Sequence, residues 1–373
     1  MLIVDESVAV ESDHPQKFYP EHLVNFLTSN EVLLQFSSMF DKYISTTERF
    51  NTINGRDNLD LFLLPDTYYY FRVSSVVYKE SVNYLEFDPP NACEVRVIAY
   101  DGVYRSEIPG PLIVDRHMMT VSSRADLAVK CSRDVDIHFH QGTKSTESKR
   151  VKVYVQNKPV VTSPSEGYQV SLRETTSPIS SPFWDADDET TWKPRRPYYM
   201  PDLSAPSNMV DEYWRVSMDN YFLNGTKALS VNQHWWDPNE SIRTFDLGQL
   251  IEYPIFRSQT HPYHAHINRM QIVEEGGCGN RYEEGEYFDT IVQEKNFTTP
   301  SGGCTVRTKF FDYAGRVVIH CHQLGHEDLG MMTVSADFVF SSSRCIVILG
   351  ILLKSFVFFV HSGSMCSEDM AME

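Results

Sequence analysis

From Thr52 onward the chain is a succession of short apolar segments, "DTYYYFRVSSVVY", "CEVRVIAYDGVY", "PLIVDRHMMTV" and "ADLAVKC", separated by Asp, Gly and Pro. β-Branched and aromatic residues dominate them, and such side chains suit a pleated, half-buried surface. No stretch carries a convincing helical stripe, in which apolar residues recur every three or four positions. A chain of this kind has to close its core by stacking sheets. The expected fold is all-β, with Greek-key β-sandwiches in tandem.

A length of 373 residues leaves room for two ordinary domains and attached fragments. Residues 48–170 read as one strand-rich block and 210–342 as a second. Residues 171–209 are a Pro/Ser-rich connection that includes "WKPRRPYYMPDLSAPS". Residues 1–47 hold a short apolar strand, a polar connector and a further apolar run, "EVLLQFSSMF". No repeat of short fixed period occurs, although the two blocks are candidates for two copies of one fold. Residues 343–373 form a hydrophobic tail containing "CIVILGILLKSFVFFV". A spanning helix needs about 20 apolar residues, and this run is shorter and interrupted by Lys354. A membrane anchor is therefore the lesser reading of the tail, beside an aggregation-prone segment or a gene-model artefact.

With 13% aromatic, 42% hydrophobic and 22% charged residues, the composition is globular and not disordered. The net charge of −17 argues against a nucleic-acid partner, because phosphate binding needs a basic face. Solubility is its plain reading, a cationic substrate the other. Of seven cysteines, Cys93 and Cys131 bracket part of the first block, and Cys278 and Cys304 bracket a loop of the second. Disulfides Cys93–Cys131 and Cys278–Cys304 are expected, with Cys345 and Cys366 unassigned. The sequons at Asn224, Asn239 and Asn296, with the paired cysteines, lean the chain towards an oxidising, extracytoplasmic compartment as a secreted glycoprotein. Yet "MLIVDESVAV" has no basic n-region and is not a signal peptide. The expectation is a chain whose front is missing.

The densest chemistry lies in "VVIHCHQLGHEDLGMM", Val317–Met332. Side chains of a strand alternate faces, so His320 and His322 point one way and Cys321 the other. One strand then serves two metal positions. Cys321, His326, Met331 and one more histidine make a His₂Cys set with a weak thioether, the ligand set of a blue-copper centre. The second histidine has a source in "THPYHAHINRMQIV". There His264 and His266 share a face and His261 is offset, a partition that matches the first motif. A Cys/His zinc site is the bland alternative, but "HEDLG" lacks the second histidine of a zinc-protease signature. "HFH" at His138–His140 reads as ordinary satisfied side chains.

These motifs resemble the C-terminal part of a multicopper oxidase, the family of laccases, ascorbate oxidases, bilirubin oxidases and ferroxidases. The family pattern is His-Pro-x-His-x-His followed by His-Cys-His-x₃-His-x₃-Gly-Met, and every ligand position is present. The similarity spans roughly residues 1–340, stronger from 210 onward, and includes "TINGRDNLDLFLLPDTYYYFRVSSV", "RRPYYMPDL" and "EEGEYFDTIVQEK". "MLIVDE" resembles the strand that ends the family's first domain. The resemblance implies cupredoxin-like sandwiches. It also implies a type 1 copper on His261, Cys321 and His326 with Met331 axial, a type 2 copper on His264, and a type 3 pair on His266, His320 and His322. Glu327 matches an acidic position that helps deliver protons in some members, so Cys321 and Glu327 are the residues expected in catalysis. The family's trinuclear cluster takes eight histidines, four from two His-x-His motifs in a first domain. Those motifs are expected upstream of Met1, leaving type 1 complete and types 2 and 3 as half-sites.

The function implied is a copper-dependent oxidoreductase. It would couple one-electron oxidation of a small reductant, phenol-like or a metal ion, to reduction of dioxygen to water. A partner subunit is another route to the missing histidines. The location implied is extracellular or in the secretory pathway. The runner-up is a blue-copper electron carrier or copper-binding protein using the type 1 site alone. A cell-surface binding module ranks last, because no ligand is damaged. Copper per chain separates the first two.

Overall fold

The structure is a computed structural model. It describes residues 30–40, 49–77, 82–106, 112–113, 116–140, 149–156, 200–204, 209–223, 226–273, 278–279, 282–293, 303–310 and 315–335. Residues 1–29, most of the 171–209 connection, the 343–373 tail, Asn224 and Asn296 lie outside the described residues.

Strand residues that alternate in sequence alternate in burial. In Asn58–Leu63, Leu59, Leu61 and Leu63 are buried while Asn58 and Asp60 face solvent. Val82–Asp88 follows the same two-residue period, which lets one face of a sheet close a core and the other meet water.

Two sheets form the first block. The six-stranded one runs in the order Arg49–Ile53, Glu31–Phe40, Tyr68–Val76, Arg124–Cys131, Cys93–Tyr100, Val103–Tyr104. The five-stranded one runs Asn58–Leu63, Lys149–Val155, Val135–His140, Val82–Asp88, Arg116–Thr120. The second block repeats this plan. Its larger sheet runs Thr226–Val231, Val216–Leu223, Leu250–Phe256, Cys304–Lys309, Met270–Ile272, Tyr287–Phe288, with Glu212–Tyr213 added beside Leu250–Phe256. Its smaller sheet runs Ser241–Arg243, Met332–Ser335, Val317–Cys321, Tyr263–Ala265, Thr290–Ile291.

The parallel pairs fall at matching places, Glu31–Phe40 with Tyr68–Val76 and Val216–Leu223 with Leu250–Phe256. The blocks are two copies of one topology, a possibility the sequence leaves open. Among the described residues the helical element is the single turn Leu324–Glu327. None of their helices is long and apolar enough to cross a membrane.

Glu31–Phe40, assigned from sequence to the connector ahead of the first block, sits inside that block's larger sheet. Val32, Leu34 and Phe36 are buried there, since an alternating apolar strand is stabilised most where one face meets a core.

Both expected disulfides form, with Cα–Cα separations of 3.9 Å for Cys93–Cys131 and 4.6 Å for Cys278–Cys304. Cys93 and Cys131 face each other across adjacent strands. By restricting the unfolded chain, each contributes roughly 2–4 kcal/mol. Beside the second disulfide, a Cβ added to Gly303 would lie 2.7 Å from the backbone oxygen of Ile255. That oxygen belongs to a central strand and cannot swing away. Gly303→Ala should therefore lower stability by about 1–3 kcal/mol, read as a lower denaturant midpoint at unchanged slope. An unchanged midpoint would show that the two strands can spread at no cost.

Candidate metal centre

The strand Val317–Cys321 lies between Tyr263–Ala265 and Met332–Ser335. Its register with the former is antiparallel, pairing Tyr263 with Cys321, His264 with His320 and Ala265 with Ile319. Residues opposite each other in such a pair share a face. His264 and His320 therefore project together on one side, and Cys321 on the other. The bond from His322 N–H to Pro262 O, at 2.7 Å, carries the pairing one residue further.

Beyond His322 the chain makes one helical turn and returns. Gly330 ends the turn with φ of +98°, a conformation that suits a residue without Cβ. The returning loop is tied by Met331 N–H to His326 O and by Cys321 N–H to Met331 O, each at 3.0 Å. A Cβ on Gly330 would come within 2.9 Å of the Trp235 ring nitrogen, so that indole rests on the loop.

This local folding gathers two groups of donors. In the first, the Nδ1 atoms of His261 and His326 stand 3.0 Å apart, and Cys321 Sγ lies 3.9 and 3.6 Å from them. Cys321 and Met331 are completely buried. In the second, His264, His266 and His320 bring ring nitrogens within 4.8 Å of one another, and the Nε2 atoms of His266 and His320 are 3.2 Å apart. The His322 ring lies 5.0 Å from that of His264 and 5.1 Å from that of His320. These are the groups of this kind found among the described residues.

Electrostatics favours neutral donors. Burial, reinforced by the neighbouring imidazoles, pushes His264 and His320 down to about 3, and burial also lowers His322. Burial pushes the Cys321 thiol up to about 12. Glu327 is raised by burial and then by Asp328, and its carboxylate lies 3.2 Å from His320 Nδ1. One side chain of the helical turn thus reaches from the first group's loop to the second group.

His138 and His140 play no part in either group. Val135–His140 occupies, in the first block, the place that Val317–Cys321 occupies in the second. Phe139 holds the fifth place in "VDIHFH" that Cys321 holds in "VVIHCH", and His140 Nε2 is 3.0 Å from Glu86. Asp289, Thr290 and Trp235 escape a reading of the sequence. Asp289 and Thr290 reach His264, and Trp235 rests on the Gly330 loop, through folds of the chain that carry no short-range signal.

Residues 195–338 match the family model described as multicopper oxidase. The iron transport multicopper oxidase fio1 of Schizosaccharomyces pombe is 26% identical over 103 residues, which cover 26% of this chain and 17% of that protein. A laccase from Pediococcus acidilactici superposes with a TM-score of 0.57 at 17% identity, over 85% of this chain and 63% of its own. A Campylobacter jejuni multicopper oxidase, described as a metallo-oxidase, gives 0.53 at 14% identity, over 83% of this chain and 64% of its own. These structural likenesses show the fold, a tandem of cupredoxin-like sandwiches. Over residues 195–338 the chain is similar to the multicopper oxidase family. It spans less than two thirds of the laccase it superposes on.

The family implies copper, and the donors fit it. A buried thiol beside two imidazoles, with a buried thioether in the adjoining loop, suits a soft-to-borderline ion. His322 Nδ1 is buried with no hydrogen-bond partner, which suits a nitrogen reserved for a cation. Because the Cys321 thiol keeps its proton up to about 12, a metal that binds the thiolate must expel that proton. Copper affinity at this group should therefore rise by about tenfold per pH unit across pH 6–8. Competition titrations against a chelator of known pH dependence measure it. A pH-independent affinity would mean that the thiol is not a ligand.

Proposed function

We propose that the chain is a copper-dependent oxidase, in which His261, Cys321, His326 and Met331 would hold a type 1 copper. His264 takes a type 2 position, and His266, His320 and His322 take type 3 positions. One observation carries this reading. The consecutive residues His320 and Cys321 serve different donor groups, so a single peptide link joins the two sites. Copper, when bound, supplies one-electron redox chemistry at the thiolate site and dioxygen reduction at the other.

The chain's own residues hold the geometry and move protons. Register with Tyr263–Ala265 and the returning loop place the donors before metal arrives, and burial keeps His264, His320 and His322 neutral and Cys321 out of water. Glu327, 3.2 Å from His320 Nδ1, is placed to hold and pass a proton beside the second group. Its raised affinity for protons suits that task.

The four histidines of the second group make half of a trinuclear set, and a further domain or a partner subunit supplies the complement. The reductant is small, phenol-like or a metal ion, in line with relatives described as a laccase and an iron transport oxidase. Two disulfides and the exposed Asn239 sequon support an extracellular or secretory-pathway setting.

A blue-copper carrier using the first group alone is the second reading, favoured by that group's complete ligand set. Copper analysis after exhaustive loading separates them. Four copper ions per assembled unit support the oxidase; one per chain in the assembled unit at every excess leaves the carrier.

A further inference from the structure

We propose that Arg124, on the first block, is a positioning residue for His264 on the second, acting through Asp289 and Thr290. This rests on the reading of His264 as a metal ligand.

Arg124 opens the strand Arg124–Cys131, and its guanidinium crosses to the other block. It donates from Nη1 to Asp289 Oδ1 at 3.1 Å and from Nη2 to Asp289 Oδ2 at 2.5 Å, a two-pronged charged contact. The completely buried Asp101 holds both partners. Its Oδ1 accepts Arg124 N–H at 2.8 Å, its Oδ2 accepts Asp289 N–H at 3.2 Å, and its backbone oxygen accepts Arg124 Nη2 at 3.0 Å. The same oxygen accepts Arg269 from the second block at 3.2 Å.

Hydrogen bonding then sets the state of the His264 ring. Its Nδ1 lies 2.7 Å from the backbone oxygen of Asp289 and 3.1 Å from Thr290 Oγ1. Thr290 Oγ1 donates its own proton to Asp289 Oδ1 at 3.0 Å. Both Asp289 oxygens accept from the Arg124 guanidinium and Oδ1 accepts from Thr290 as well, so Thr290 faces His264 as an acceptor, and the carbonyl is one in any case. Both partners of Nδ1 are then acceptors. Nδ1 must carry the ring proton, and Nε2 is left bare for metal. By clamping Asp289, the first block keeps its carbonyl and Thr290 against Nδ1 and so fixes the tautomer of a ligand on the second, across the boundary between them. Glu283 and Glu286, which meet Arg105 of the first block, strengthen the same boundary without touching a histidine.

The test uses the full chain with ¹⁵N-labelled histidines, metal-free, with His264 signals assigned by their loss in His264→Gln. In the native chain His264 should show a single tautomer, protonated on Nδ1. Arg124→Ala should give mixed-tautomer shifts at His264 while the His261 and His326 signals stay in place. Arg124→Gln, a milder change, is read in the same way, and Arg124→Lys should restore the native pattern at least in part. Copper binding beyond the first equivalent should weaken by about 10–100-fold in the Ala and Gln variants, with the first equivalent unchanged. A single Nδ1–H tautomer persisting in a folded Ala or Gln variant overturns the proposal. An altered tautomer with unaltered copper binding would leave the clamp standing and sink the ligand reading instead.

Discussion

Copper(II) loading of the native chain should produce an intense visible thiolate-to-copper absorption, and Cys321→Ser should remove it entirely. A serine hydroxyl is a hard, protonated donor and gives no such band. The substitution should leave the fold in place. Cys321 sits in the strand through backbone bonds, to Met331 O among others, that a serine keeps. Its side chain would be a buried hydroxyl near His261 Nδ1 and His326 Nδ1, either of which can accept from it. The stability cost should stay within about 1–2 kcal/mol. Absorption and far-ultraviolet circular dichroism on the same samples give the answer. A band that survives in Cys321→Ser removes the assignment of this group.

His264→Gln should have the opposite profile. The visible band should persist, because Cys321 and His264 belong to different donor groups on opposite faces of their paired strands. Copper held beyond the first equivalent should fall by about 10–100-fold or more, since a ligand itself is lost and not only its support. Where the native chain or its assembly consumes dioxygen with a one-electron donor, the variant's rate should drop at least about a thousandfold, as for other parts of a unit that act together. Loss of the band in His264→Gln would mean that the groups are not separable. Native copper count and oxygen uptake in the variant would mean that His264 is no ligand.

Much of this site was legible in one dimension because strand geometry is so regular. A two-residue period forces His320 and His322 to one side and Cys321 to the other wherever the strand lies, and "HPYHAH" obeys the same rule. The disulfides were legible for a related reason, as cysteines bracketing a hairpin-sized stretch of strands have few other partners. The strand Glu31–Phe40 was not. Its alternation marks a strand, but no local feature says which sheet it joins, and a parallel neighbour lies across a long connection. That Val135–His140 repeats the place of Val317–Cys321 was equally hidden until the sheet orders could be laid side by side.

The chain by itself thus determined the donor types, their division into two sets and the all-β class, because each comes from residue chemistry and a backbone period. Tertiary structure decided the rest. Only register could set His264 opposite His320. Only the returning loop could bring His326 to Cys321. Only the meeting of the two blocks could put Arg124 against Asp289, 165 residues away. Contacts at such separations are selected by packing and charge in the folded molecule. No local propensity encodes them.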